Sequence, residues 1–119
     1  MKILIADDSP AQRFIQKSIL IENGVSESDI IEAGTGTDVV NKVKTEQIKL
    51  IVIDWNMPEM DGLEAFKTVR KSGVTTPFIM ITSEGEASKV QEALDAGLDN
   101  FLTKPLDADA FWEIAQRYV

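Results

Sequence analysis

The chain has 119 residues, 44% hydrophobic and 27% charged, with a formal net charge of −8, the composition of one globular domain over 1–119. It contains neither cysteine nor histidine, which excludes disulfides, thiolate metal sites and the commonest side-chain base; any metal must be held by oxygen, as hard cations such as magnesium are. The acidic balance argues against direct nucleic-acid binding by this domain, because phosphate contacts need a basic face. Its apolar runs are too short to span a membrane, and Met1-Lys2 leads straight into a strand rather than a signal peptide, so a cytoplasmic location without membrane attachment is expected.

Ile3-Leu4-Ile5-Ala6 reads as a first strand ending in the acidic pair Asp7-Asp8. Ser9 is placed as an N-cap, Pro10 at the first helical position and Gln12 at the capping-box position of a helix carrying Phe14, Ile15, Ile19 and Leu20 and closing at Gly24. Ile30-Ile31-Glu32-Ala33 is a second strand, Gly34-Thr35-Gly36 a turn, and Val39, Val40 and Val43 the inner face of a second helix. Leu50-Ile51-Val52-Ile53 is a run suited to a strand buried on both faces, and it stops at Asp54. A loop with Trp55, Met57, Pro58 and Met60, whose large side chains are expected to pack the loop, precedes a helix opening at Asp61-Gly62 with Leu63, Phe66 and Val69 and closing at Gly73. Phe78-Ile79-Met80-Ile81 is a fourth strand ending at Thr82-Ser83, followed by a helix with Val90, Ala93 and Leu94 that stops at Gly97. Phe101-Leu102 lies in a short fifth strand ending at Lys104-Pro105, and Asp107 caps a last helix with Phe111, Ile114, Ala115 and Tyr118, on which Trp112 is expected at the surface.

Five strands alternating with five helices predict an α/β domain: a doubly wound, five-stranded parallel sheet in a three-layer αβα sandwich, with flavodoxin-like strand order 2-1-3-4-5. That order puts strands one and three side by side, so Asp7, Asp8 and Asp54 meet at the carboxyl edge, where ligands bind in such sheets. Neither GxGxxG nor GxxxxGK[ST] is present, so the loops are not built for a dinucleotide or a nucleoside triphosphate. Two carboxylates about 4 Å apart repel by roughly 4 kcal/mol at an effective dielectric near 20. Magnesium and the Lys104 ammonium are the available counter-charges, and a carboxylate facing both is a plausible nucleophile toward phosphorus. Thr82 offers a hydroxyl donor to a phosphoryl oxygen, although read alone it is equally a strand-end cap; Asp7-Asp8 alone is equally a solvated turn.

Asp7-Asp8 after the first strand, Asp54 after the third, Thr82-Ser83 after the fourth and Lys104-Pro105 after the fifth resemble the receiver domain of two-component response regulators over essentially the whole chain. Within that family, the stretch from Asp54 to Glu64 is most similar to the chemotaxis regulators. The resemblance implies that Asp54 accepts a phosphoryl group from a histidine kinase. It further implies that Asp8, Asp54 and the main-chain carbonyl of Asn56 bind Mg2+, with Asp7 acting through a water. Lys104 and Thr82 would contact the phosphoryl group, Thr82 and Phe101 would form the switch, and Lys104-Pro105 would be a cis peptide. Asn56 and Glu84 would tune dephosphorylation, to seconds or minutes rather than hours. The output face would be the fourth helix, fifth strand and fifth helix.

The resemblance thus implies a phospho-switch that catalyses only its own phosphotransfer and dephosphorylation, a stand-alone protein partnered by a histidine kinase and a flagellar motor switch protein. One alternative makes the chain the receiver portion of a longer regulator with DNA-binding or enzymatic output. Another makes it a phosphorelay shuttle to a histidine phosphotransfer protein. A magnesium-dependent phosphohydrolase of the haloacid dehalogenase type is disfavoured, because Asn56 stands where those enzymes need a second acid and no cap domain is present.

Overall fold

A computed structural model of the chain describes residues 1–83 and 87–119, with only the backbone described at 87 and 88. In chain order the elements are β1 (Lys2–Ala6), α1 (Pro10–Glu22), a single 3-10 turn (Glu27–Asp29), β2 (Ile30–Ala33), α2 (Gly36–Thr45) and β3 (Ile48–Asp54). They continue with α3 (Gly62–Lys71), β4 (Phe78–Thr82), α4 (Ala87–Asp95), β5 (Asn100–Thr103) and α5 (Ala108–Ala115). The five strands form one parallel sheet in the order β2-β1-β3-β4-β5, as the alternation of strands and helices predicted.

Both faces of the sheet are covered, and the strand parity sorts its side chains between two cores. Ile3, Ile5, Leu50, Val52, Ile79 and Ile81 pack with Ile19 and Leu20 of α1 and Phe111 and Ala115 of α5. Leu4, Ala6, Ile51, Ile53, Phe78 and Met80 pack with Val39 of α2, Leu63, Phe66 and Val69 of α3, and Ala93 of α4. This two-sided burial explains why the strands read as continuous aliphatic runs rather than as alternating ones.

Helix starts follow their caps. Ser9, Thr35, Asp61 and Asp107 each have extended backbone, and each side chain accepts a backbone N–H from the first turn of its helix. The reciprocal half of the expected Ser9–Gln12 capping box is replaced: the Ser9 N–H donates to Asp7 Oδ1 at 2.9 Å. The apolar residues of α1 divide between core and surface. Gln16, Ile19 and Leu20 are buried, whereas Phe14 is 69% exposed and Ile15 44%. Phe14 lies five and six residues before Ile19 and Leu20, about a third of a turn or more off their face. Trp112, expected at the surface, is instead half-buried against the α1/α5 core. The last helix ends at Ala115, so Tyr118 sits beyond it, its hydroxyl accepting from Asn100 Nδ2 at 2.8 Å.

Candidate functional site

β1 and β3 are neighbours with Ala6 paired to Ile53, so the acids that follow each strand emerge together. One carboxylate oxygen from each of Asp7, Asp8 and Asp54 lies within 4.8 Å of the others. Asp7 and Asp54 are buried, at 1% and 3% exposure, while Asp8 is exposed. Lys104, just past β5, places its Nζ 3.0 Å from Asp54 Oδ1. The Lys104 N–H also donates to the Thr82 carbonyl at 2.7 Å, which ties this residue to the end of β4. Thr82 is fully buried, and its Oγ1 has no hydrogen-bond partner among the described residues.

Burial pushes the Asp54 carboxyl up to about 6, opposed by the hydrogen bond and charge of Lys104 and reinforced by the negative charges of Asp7 and Asp8. Asp7 is also raised, chiefly by burial, against the Ser9 N–H and the Lys104 charge. Asp54 is thus mostly ionised at neutral pH yet only lightly solvated, which suits a nucleophile. The acids also fit a hard cation. All donors are oxygens, and Asp7 Oδ2 is buried with no hydrogen-bond partner among the described residues, a cost that a cation or its bound water would offset. Asp7, Asp8 and Asp54 are the residues that would hold it. Asn56, whose carbonyl is the remaining expected ligand, is exposed in the loop two residues beyond Asp54.

That loop is folded back against the site. Trp55 and Met57 are buried in the α2/α3/α4 core with Met60 packed beside them, as expected of loop-packing side chains. The Met60 N–H donates to the Pro58 carbonyl at 2.8 Å around Glu59, whose φ is 69°, the geometry of a γ-turn. The Gly62 N–H donates to the Trp55 carbonyl at 2.8 Å, and a Cβ at Gly62 would lie 2.5 Å from the Asp54 carbonyl oxygen. A Cβ at Gly36 would collide with the Met60 carbonyl. Both helix starts therefore sit closer to the loop than any side chain permits.

The remaining predicted residues are distributed around this centre. Phe101 is 39% exposed on β5, paired with Met80 of β4. The Lys104–Pro105 peptide bond is cis. Glu84 lies outside the described residues. Arg13, which the sequence reading did not single out, reaches the acidic loop and is backed by Glu32 of β2. Arg13 Nη1 donates to the Asp7 carbonyl at 2.6 Å, and Arg13 Nε donates to Glu32 Oε1 at 2.9 Å. The one available signal was an acid inside the otherwise apolar strand Ile30-Ile31-Glu32-Ala33.

The response regulator receiver domain profile matches residues 3–116. A chemotaxis protein CheY homolog of Campylobacter jejuni is 43% identical over 108 residues, spanning 88% of this chain and 82% of that protein. The solved receiver domain of the Francisella response regulator 1452 superposes with a TM-score of 0.88 at 32% identity, covering 98% of this chain and 94% of that one. Vibrio cholerae chemotaxis protein CheY4 superposes with a TM-score of 0.86 at 30% identity, covering 99% and 98%.

Proposed function

The chain belongs to the response regulator receiver domain family of two-component signalling, and we propose that it is a phospho-switch in which Asp54 is the phosphoacceptor. The observation that carries this reading is a buried carboxylate, ion-paired at 3.0 Å to Lys104, with two further carboxylates within 4.8 Å. A phosphohistidine of a histidine kinase is the donor. An Asp54 carboxylate oxygen forms the new bond to phosphorus, the phosphorus–nitrogen bond breaks, and its electron pair returns to the imidazole, which takes a proton from solvent. Water later attacks the same phosphorus, releasing phosphate and restoring the carboxylate.

Lys104, held at the mouth of the site, neutralises one phosphoryl oxygen, and the Thr82 hydroxyl donates to another. Asp8, Asp54 and the Asn56 carbonyl would hold Mg2+, with Asp7 acting through a water, and the bound ion would supply positive charge against the transferring group. Asn56 and Glu84 set how readily water reaches the acyl phosphate. The engagement of Thr82 and an inward turn of Phe101 bias a protein-binding face made by α4, β5 and α5. The only turnover is of the protein's own acyl phosphate, so it is a switch rather than an enzyme acting on a small substrate. Kinship to a chemotaxis protein at 43% identity supports a flagellar motor switch protein as the output partner and a cytoplasmic location. Among the described residues no helix is long and apolar enough to cross a membrane.

The test is intact mass after incubation with magnesium and acetyl phosphate. A single phosphoryl adduct on the wild type, lost in Asp54→Ala and in excess chelator, is expected. An adduct that persists in Asp54→Ala would overturn the assignment of the acceptor. Binding of a motor switch protein that is unchanged by phosphorylation would overturn the chemotactic output.

A further inference from the structure

Asp7 is held at three of its four polar atoms. Its N–H donates to the Ala33 carbonyl of β2 at 3.1 Å, its Oδ1 accepts from the Ser9 N–H at 2.9 Å, and its main-chain carbonyl accepts from Arg13 Nη1 at 2.6 Å. Among the described residues, Oδ2 lacks a hydrogen-bond partner. The third bond matters most for the residue that follows. A main-chain carbonyl defines the plane of the peptide it belongs to, so the Arg13 bond fixes the Asp7–Asp8 peptide and with it the direction in which Asp8 leaves the chain. Asp8 is the exposed member of the acidic cluster, so the direction of its main chain does much to aim it. Arg13 is itself fixed from the far side: its Nε–Glu32 Oε1 bond of 2.9 Å anchors the guanidinium to β2, and its side chain is only 19% exposed.

We propose that Arg13 and Glu32 are a positioning pair that sets the divalent-cation affinity of the acidic cluster by locking the Asp7–Asp8 peptide. This inference rests on the cation role given to Asp7, Asp8 and Asp54 above. Geometry and charge make opposite demands here, which renders the pair testable. A guanidinium near a cation site repels the cation, so if Arg13 acted only through its charge, removing it would tighten binding. If Arg13 acts by aiming the ligands, removing it weakens binding, as loss of an outer hydrogen-bond partner of a metal ligand does. Glu32 carries the reverse charge, so its removal should weaken binding by either route, and it is Arg13→Met that separates aiming from charge.

The experiment is calorimetric titration of magnesium into the wild type, Arg13→Met, Glu32→Gln and Asp8→Asn, with folding checked by circular dichroism. The expected result is a dissociation constant raised about tenfold in Arg13→Met, with a smaller rise in the same direction in Glu32→Gln. In phosphorylation by acetyl phosphate, the half-saturating magnesium concentration should rise in Arg13→Met while the rate at saturating magnesium stays near that of the wild type. Unchanged or tighter magnesium binding in folded Arg13→Met overturns the proposal while leaving the cation role intact. Should Arg13→Met fail to fold, unchanged binding in Glu32→Gln overturns it instead. A wild type that binds magnesium no better than Asp8→Asn removes the cation role itself and the proposal with it.

Discussion

Lys104 Nζ stands 3.0 Å from Asp54 Oδ1, yet the two side chains lie in different surroundings: Asp54 is 4% exposed and Lys104 36%. The acid is desolvated and the base is not. Burial accordingly outweighs the ion pair, and Asp54 holds its proton more tightly than a free carboxyl does, up to about 6.

This imbalance makes the metal-free fold sensitive to pH. In the unfolded chain Asp54 titrates at its ordinary value of 3.8, so the folded state binds more protons than the unfolded state between there and about 6. The contribution of Asp54 to stability is therefore fully present below the unfolded value and is lost as pH rises through the folded one. Asp7, raised in the same direction, adds to the slope. Asp54→Asn should stabilise the metal-free protein at pH 7 by on the order of 2–3 kcal/mol and flatten its pH dependence between about pH 4 and 6. Thermal unfolding in chelator at several pH values checks this; a variant no more stable than the wild type at pH 7 would contradict it.

Magnesium should act on the same imbalance from the other side. A ligand bound only by the folded state at a hundred times its dissociation constant adds about 2.7 kcal/mol. The melting temperature should rise with magnesium, and more at pH 7 than at pH 5, where protons compete for Asp54. Equal shifts at the two pH values would show that the cation binds away from the acids.

Replacing Lys104 with methionine separates its two effects. Removing a cation beside the cluster relieves repulsion of a bound metal, so magnesium affinity should hold or increase. Removing the partner of a phosphoryl oxygen should slow adduct formation from acetyl phosphate by at least about tenfold, the effect of losing over 1.4 kcal/mol of charge stabilisation in the transition state. Unchanged phosphorylation would exclude contact between Lys104 and the transferring group.

The two glycines at the loop differ in what they protect. Gly36→Ala would drive a Cβ into the Met60 carbonyl, and Gly62→Ala would set one 2.5 Å from the Asp54 carbonyl. Because both obstacles are backbone, each substitution should cost about 1–3 kcal/mol and lower the melting temperature by several degrees. Gly62→Ala should in addition reduce phosphorylation, since relief of its clash displaces the acceptor strand. Wild-type melting temperatures in both variants would show that the loop yields without cost.

Local chemistry was legible in the linear chain wherever one residue decides it. Aliphatic runs ending in Asp7, Asp54 and Thr82 marked the strand ends. Ser9, Asp61 and Asp107 marked helix starts, and the strand–helix alternation pointed to a doubly wound sheet, whose flavodoxin-like order 2-1-3-4-5 brings three acids together. What only the tertiary structure decided is pairing between groups far apart in sequence. Periodicity places Phe14, Ile15, Ile19 and Leu20 on one helix, but the rotation of α1 against the sheet chooses which are buried, and it leaves Phe14 outside. Ser9 has the residues for a capping box, but its N–H goes to Asp7 because the acidic loop turns back on itself. Arg13 meets Glu32 across 19 positions, and Gly36 meets Met60, because β2 lies beside β1 and the start of α2 lies against the loop after β3. Strand ends and caps are set by short-range sterics and hydrogen bonding that each residue carries with it. Contacts between layers depend on how helices settle on a twisted sheet, which no single stretch of the chain encodes.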